Sequence, residues 1–303
     1  MPYESGEAVA AMGMPLVVGV DGSASSLRAL DWAADEAERL RLPLRIVHAS
    51  LWERYEVAEP SAHGVAIPSA QVPDETLPSS AVARVRRRVP DLEVHAEEMA
   101  EDPETALLEQ ARNASALITG SRGRGPIAEL LLGSVSLAVA ARAHCPVIVV
   151  RGGEDNFKAR HHRIVLGIGD SATTGAATLF AIREAQSRGC LLEAVRAWRC
   201  PANESVDDPL LAAGSAHEHR ERATELIADA LRDPVAGHPG VEVVPAACEG
   251  PAHKVLRDRS ATADLLVLGA RRRHGHLGLQ LSRVSHTLLH HAGCPVAIVP
   301  QHG

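Results

Sequence analysis

The feature that most constrains this 303-residue chain is that it contains its own pattern twice. Cys145-Pro146-Val147 returns 149 residues later as Cys294-Pro295-Val296, and Gly120 and Gly269 share that offset. So do Leu92-Glu93-Val94 and Val241-Glu242-Val243. Near the start, Val17-Val18-Gly19-Val20 returns as Val165-Leu166-Gly167-Ile168, one residue shorter in offset. A period this long describes duplicated domains, because solenoid repeats run to only about 20–50 residues. The expected organisation is a flexible leader over residues 1–14, a first domain over 15–151, a linker over 152–162 and a second domain over 163–303.

Both copies should follow one plan. In the first, apolar runs over residues 16–20, 44–49, 92–97, 116–119 and 146–150 are short and read as strands. A helix capped by Ser23 or Ser25 runs to residue 40, with Leu27, Leu30, Ala34, Ala37 and Leu40 on its inner stripe. Further helices are expected over 79–89, from Pro103 to 113, and over 135–143, while residues 52–78 read as a long surface loop. The second copy places strands from 163, over 191–197, 241–246, 265–268 and 295–299, with helices ending at 188, 232, 259 and 291. In that copy the second-helix pattern covers 216–232. Short apolar strands alternating with helices give an α/β chain: two doubly wound, five-stranded parallel-sheet domains in tandem. Ligands in such sheets bind beyond the carboxyl ends of the strands, where strand order reverses.

One strand-to-helix connection stands out. Ala116-Leu117-Ile118-Thr119 leads into Gly120-Ser121-Arg122-Gly123-Arg124-Gly125, and an alanine-rich helix follows Gly133-Ser134. Glycines there let a ligand approach bare backbone, and the N–H groups opening the next helix point at it, which is a phosphate site in outline. An ordinary glycine-rich turn is the competing reading. No Gly-x4-Gly-Lys-Ser/Thr occurs, so a Walker-type loop is excluded. Gly123-Arg-Gly125-Pro-Ile-Ala128 matches a dinucleotide pattern, but the ribose-binding acid that pattern requires is missing downstream. Asp21, at the end of the first strand, suits ribose hydroxyls or an adenine amine as an acceptor, and equally suits a helix cap. Arg122 and Arg124 read as phosphate contacts or as solvated surface.

Composition removes several classes. A formal charge of −7 disfavours non-specific nucleic-acid binding. No apolar run reaches the roughly 18 residues of a membrane span, and residues 1–14, with Glu4 and Glu7, lack the apolar core of a signal peptide. Five cysteines without zinc spacing read as reduced cytoplasmic thiols. His161-His162 and His290-His291 read as surface residues rather than metal ligands, and Trp32, Trp52 and Trp198 as packing.

The spacing Gly120-x2-Gly123-x9-Gly133-Ser134 resembles the ATP-binding signature of the universal stress protein family. With Val17 to Ser23 and the repeated Cys-Pro-Val strand, the resemblance covers nearly all of residues 15–300. It implies strand order 3-2-1-4-5, pairing of domains through the fifth strand, and a homodimer. It implies ATP, with or without magnesium, and a regulatory role in stress with a protein partner that the sequence does not name. It places Asp21 against adenosine, and Ala49, following His48, against adenine through its backbone. Gly120, Gly123, Gly133, Ser134 and Val135 become the phosphate cradle, with Ser136 behind them. No catalytic or metal-ligating residue is implied.

The second copy departs from that pattern. Gly269 is kept, but Arg272 stands for Gly123, Ser282 for Gly133, Arg283 for Ser134 and Gly169 for Asp21, with Asp170 one residue on. One ATP per chain, in the first copy, is therefore expected. Two other functions compete. A slow ATPase or phosphotransferase would need a metal-holding carboxylate and a positioned water or acceptor. A scaffold with a structural nucleotide would need neither.

Overall fold

The computed structural model describes residues 13–49, 76–121, 132–153, 159–169, 175–200, 209–272 and 279–301. Trp52, Arg122, Gly123, Arg124 and Asp170 lie outside the described residues. The first repeat runs β1 (Leu16–Gly19), α1 (Ala24–Leu40), β2 (Leu44–Ala49), α2 (Leu77–Arg88), β3 (Val94–Met99), α3 (Pro103–Gln110), β4 (Ala116–Gly120), α4 (Ser134–Arg142) and β5 (Val147–Val150). The second runs β6 (Arg163–Gly167), α5 (Gly175–Arg188), β7 (Leu191–Trp198), α6 (Pro209–Ala236), β8 (Val243–Glu249), α7 (Ala252–Ser260), β9 (Leu265–Arg272), β10 (Leu279–Gln280), α8 (Arg283–His291) and β11 (Val296–Gln301). No helix among the described residues is long and apolar enough to cross a membrane.

By contacts the chain divides into two compact units, the first ending at Val139 and the second continuing from Ala140, with Leu132 belonging to the second. In the first unit the strands lie in the order β3-β2-β1-β4, all parallel. Ser23 caps α1 by accepting the Ser26 N–H, and Arg41 ends it in the left-handed region at φ 54°. The buried apolar residues of α1 are Ala29, Leu30, Trp32, Ala33, Ala34 and Ala37. Leu27 and Leu40, expected on that stripe, are only half-buried. The alanines set the helix down close to the sheet, and the one large ring, Trp32, fills the space beside them. Fork-shaped ion pairs join α1 to α2: Arg84 donates to both oxygens of Asp31 at 2.6 and 2.7 Å, and Arg88 pairs likewise with Asp35. These bonds raise both guanidinium pKa values against the opposing effect of burial.

In the second unit β8-β7-β6-β9-β11 are parallel, which is the order 3-2-1-4-5 in full. β5, the fifth strand of the first repeat, pairs antiparallel with β11, Val147 opposite Ile298 and Val149 opposite Val296. β10 folds back antiparallel on the end of β9. Ile164, Leu166, Ile182, Leu192 and Ile227 are fully buried, each stabilising the fold by about 1.5–3 kcal/mol relative to exposure. Four elements differ clearly from expectation, one being β9, which runs to Arg272 and not Leu268. α6 is 28 residues long and runs through Pro234; the proline removes one i→i−4 bond and stands two residues before the helix ends at Ala236. β8 is shifted towards its C-terminus, and β10 is a two-residue strand too short to leave a periodic signal.

His290 is half-buried, not a surface residue. Its Nδ1 accepts the Leu132 N–H at 3.3 Å, and the His286 ring centroid is 4.7 Å away. Burial lowers its pKa, and nearby His286, His291 and Arg151 push the same way. The unfolded chain therefore binds this proton more readily than the folded one. Stability from this site is present above the ordinary histidine pKa of about 6.5 and is lost as pH falls through it. Thermal unfolding of wild type and His290→Gln should show the variant losing less of its midpoint between about pH 7 and pH 5. Equal losses would remove His290 from the account of acid sensitivity.

Candidate functional site

β1 lies between β2 and β4, so strand order reverses at β1–β4. Register pairs Gly19 with Val47 and Val18 with Ile118. Continuing that register past the strand ends sets Asp21 level with Ala49, and Val20 level with Gly120. Three carboxyl ends thus meet at one height.

The turn leaving β1 is tightly specified. Gly22 sits at φ 78°, where a side chain would be strained. The Ser23 N–H donates to Asp21 Oδ1 at 2.9 Å, and the Asp21 N–H donates to Ser26 Oγ at 3.2 Å. The cap of α1 is Ser23, whose Oγ accepts the Ser26 N–H at 3.2 Å. Asp21 therefore closes a side-chain turn ahead of the helix instead of capping it, and its half-buried carboxylate stands at the strand end. On β2, His48 Nδ1 donates to the Val20 carbonyl at 2.9 Å. That bond fixes the proton on Nδ1 and ties the end of β2 to the end of β1.

Gly120 has a packing reason to be glycine. A Cβ there would lie 2.8 Å from the carbonyl carbon, carbonyl oxygen and Oγ of Ser25 in α1. The far side of the loop is fastened to the same point. Buried Ser136 donates its hydroxyl to the Gly120 carbonyl at 2.7 Å, and the Gly133 N–H donates to the Ser121 carbonyl at 3.0 Å. The Leu137 N–H donates to the Gly133 carbonyl at 3.0 Å, so Gly133 is the cap of α4. The N–H groups of Ser134, Val135 and Ser136 then fall in its first turn, where no intrahelical acceptor exists and the helix dipole favours an anion. Ser134 is exposed, Val135 half-buried and Ser136 buried.

Of the eight residues expected at the site, Asp21, Ala49, Gly120, Gly133, Ser134, Val135 and Ser136 come together at these strand ends and this helix start; Gly123 lies outside the described residues. Sequence reasoning missed Ser25, which enforces the glycine at 120, and Ser121, which closes the loop on Gly133. The arrangement suits a nucleotide: acceptors at Asp21 and at the Ala49 backbone for the nucleoside, and orphan N–H donors for phosphate. Among the described residues no group of three histidine, cysteine or carboxylate side chains forms a metal site. A magnesium ion held by phosphate oxygens and water needs no such cage.

The second unit keeps a crevice in the corresponding place. A cavity of about 480 Å³ is lined by Gly167, Gly169, Gly269, Arg271 and Ser282, at the ends of β6 and β9 and the start of α8. Ser282 caps α8, its Oγ accepting the Ser285 N–H at 3.0 Å. The residue standing for Gly133 thus satisfies with its own side chain a donor that a ligand would otherwise meet.

The profile of the universal stress protein family matches residues 12–151 and again residues 160–300. The chain belongs to the universal stress protein family. It is 32% identical over 305 residues to a universal stress protein of Mycobacterium tuberculosis strain H37Rv, covering 94% of this chain and 97% of that one. A crystal structure of a universal stress protein from Archaeoglobus fulgidus DSM 4304 superposes at TM-score 0.65 and 16% identity, covering 96% of this chain and 99% of the other, and shows the same fold. A single-repeat match, 24% identical over 46% of this chain and 99% of its own at TM-score 0.32, is the Archaeoglobus fulgidus universal stress protein in complex with dAMP.

Proposed function

We propose that this universal stress protein is a regulatory protein that binds ATP in its first repeat and changes its protein contacts with occupancy. The observation that carries the reading is the convergence just described: Asp21, the Ala49 backbone and the open first turn of α4 stand at three adjacent strand ends, with α4 fastened to Gly120 through Ser136. Adenosine sits at the Asp21 and Ala49 end, and the phosphates run towards Gly133 and Ser134. The cytoplasm, where ATP is abundant, is the compartment this reading requires. Among the described residues of this site no histidine is paired with a carboxylate: His48 donates through Nδ1 to the Val20 carbonyl. That favours binding over turnover.

Isothermal titration of the full chain with ATP is expected to give one tight site. Asp21→Ala should weaken it by about 1.5–3 kcal/mol, the worth of hydrogen bonds to a charged group. The loss should appear in affinity, because Ser23 and not Asp21 caps α1. A variant with wild-type affinity and a lowered unfolding midpoint would assign Asp21 to the turn alone. Assay of the same samples for ADP separates binding from hydrolysis.

A further inference from the structure

The second unit holds a larger and more basic cavity than its nucleotide-like crevice. It measures about 820 Å³ and opens between the end of β7, α6, the turn into α7 and the start of α8. Arg196, Arg199, Arg222 and Arg283 line it, together with His219 and His253. No aspartate or glutamate is among its described lining residues. That segregation is unexpected in a chain whose formal charge is −7. The volume falls within the roughly 300–1,000 Å³ of small-molecule sites.

Three further observations bear on what it would hold. Arg283 is the first residue of α8, and no acid follows in that turn. A cation there opposes the helix dipole, which an anion in the cavity would offset. Arg196 is anchored by a bond from Nη1 to the Ile168 carbonyl at 3.1 Å, and it lines both this cavity and the crevice, so the two adjoin. Trp198, nine-tenths buried, lines the same wall, and its Nε1–H meets no acceptor among the described residues.

We propose that this basin is a second anion site, taking a small molecule with two or more phosphate groups in series. Guanidinium groups bind phosphate oxygens in pairs, and four of them around one cavity suit several negative charges better than one. The site reads the phosphate chain, because the charged groups among its described lining residues are arginines and no carboxylate there accepts from a base. It is independent of the ATP reading of the first repeat.

Inorganic tripolyphosphate is the probe, titrated into the full chain at low and moderate salt. Arg199 and Arg222 are exposed, so the double variant Arg199→Ala/Arg222→Ala should keep the wild-type unfolding midpoint. Its tripolyphosphate affinity is expected to fall at least about tenfold, while ATP binding in the first repeat is unchanged. Wild-type affinity should also weaken with added salt, and Arg199→Lys/Arg222→Lys should recover part of the loss. Gly123→Val removes the first-repeat cradle as a competing phosphate site, so tripolyphosphate still bound by that variant reports the basin, and failure of the ATP reading and failure of this one are told apart. Undetectable binding to wild type, unchanged affinity in the double alanine variant, or loss with Gly123→Val alone would each overturn the proposal.

Discussion

Gly123→Val is expected to remove ATP binding from the first repeat while circular dichroism and the unfolding midpoint stay at wild-type values. Gly123 is the middle glycine of the spacing that begins at Gly120 and ends at Gly133. A phosphate oxygen held by backbone N–H groups needs bare backbone on its near side, and a valine there displaces it. Losing two hydrogen bonds to a charged group weakens affinity by about 3 kcal/mol or more, roughly a hundredfold. Gly120→Ala provides the contrast. Its added Cβ would meet the Ser25 backbone at 2.8 Å, and backbone cannot swing aside as a long side chain can. That variant should lose about 1–3 kcal/mol of stability, the usual range for overpacking. Titration and thermal unfolding together separate the two glycines. Wild-type ATP affinity in Gly123→Val would show that the cradle lies elsewhere.

Glu184→Ala is expected to be strongly destabilising in the second unit. Glu184 and Arg188 stand one turn apart on α5, the side chain of each is only 5% exposed, and Arg188 Nη2 lies 3.1 Å from Glu184 Oε2. Removing the carboxylate takes away the acceptor that Arg188 Nε and Nη2 share beside the core, a change that costs about 3–5 kcal/mol. Urea unfolding at neutral pH measures it directly. The double variant Glu184→Ala/Arg188→Met should recover most of the loss, because an apolar pair needs no compensation. A small effect in the single variant would mean that Arg188 escapes to water when its partner goes.

Much of this architecture is written locally. The runs at β1, β2 and β4 are bounded by turn residues, and Ser23 and Pro103 mark helix starts, so those elements are legible without a structure. The duplication carried the same reading into the second half. Elements decided by distant partners were not legible. α6 continues past its apolar pattern, and β10 exists only because Leu279 and Gln280 find Arg272 and Arg271. The site divides in the same way. Asp21, Ala49 and Gly133 are placed by the family resemblance that the glycine spacing and Val17 to Ser23 carry. The contact that forbids a side chain at residue 120 comes from Ser25, far away in the chain, and has no local signal. Nor has the arginine basin, whose walls come from β7, α6 and α8 and share no motif.

The pairing of β5 with β11, both in the second unit, has a consequence for how the two strands are free to change. Two identical chains that join through the same strand are bound by symmetry, and every substitution appears on both sides at once. Within one chain, each side of that seam is encoded separately. The seam forms at a fixed effective concentration, untouched by dilution. Either strand can then change without the other, and the pair survives as long as both stay short and apolar.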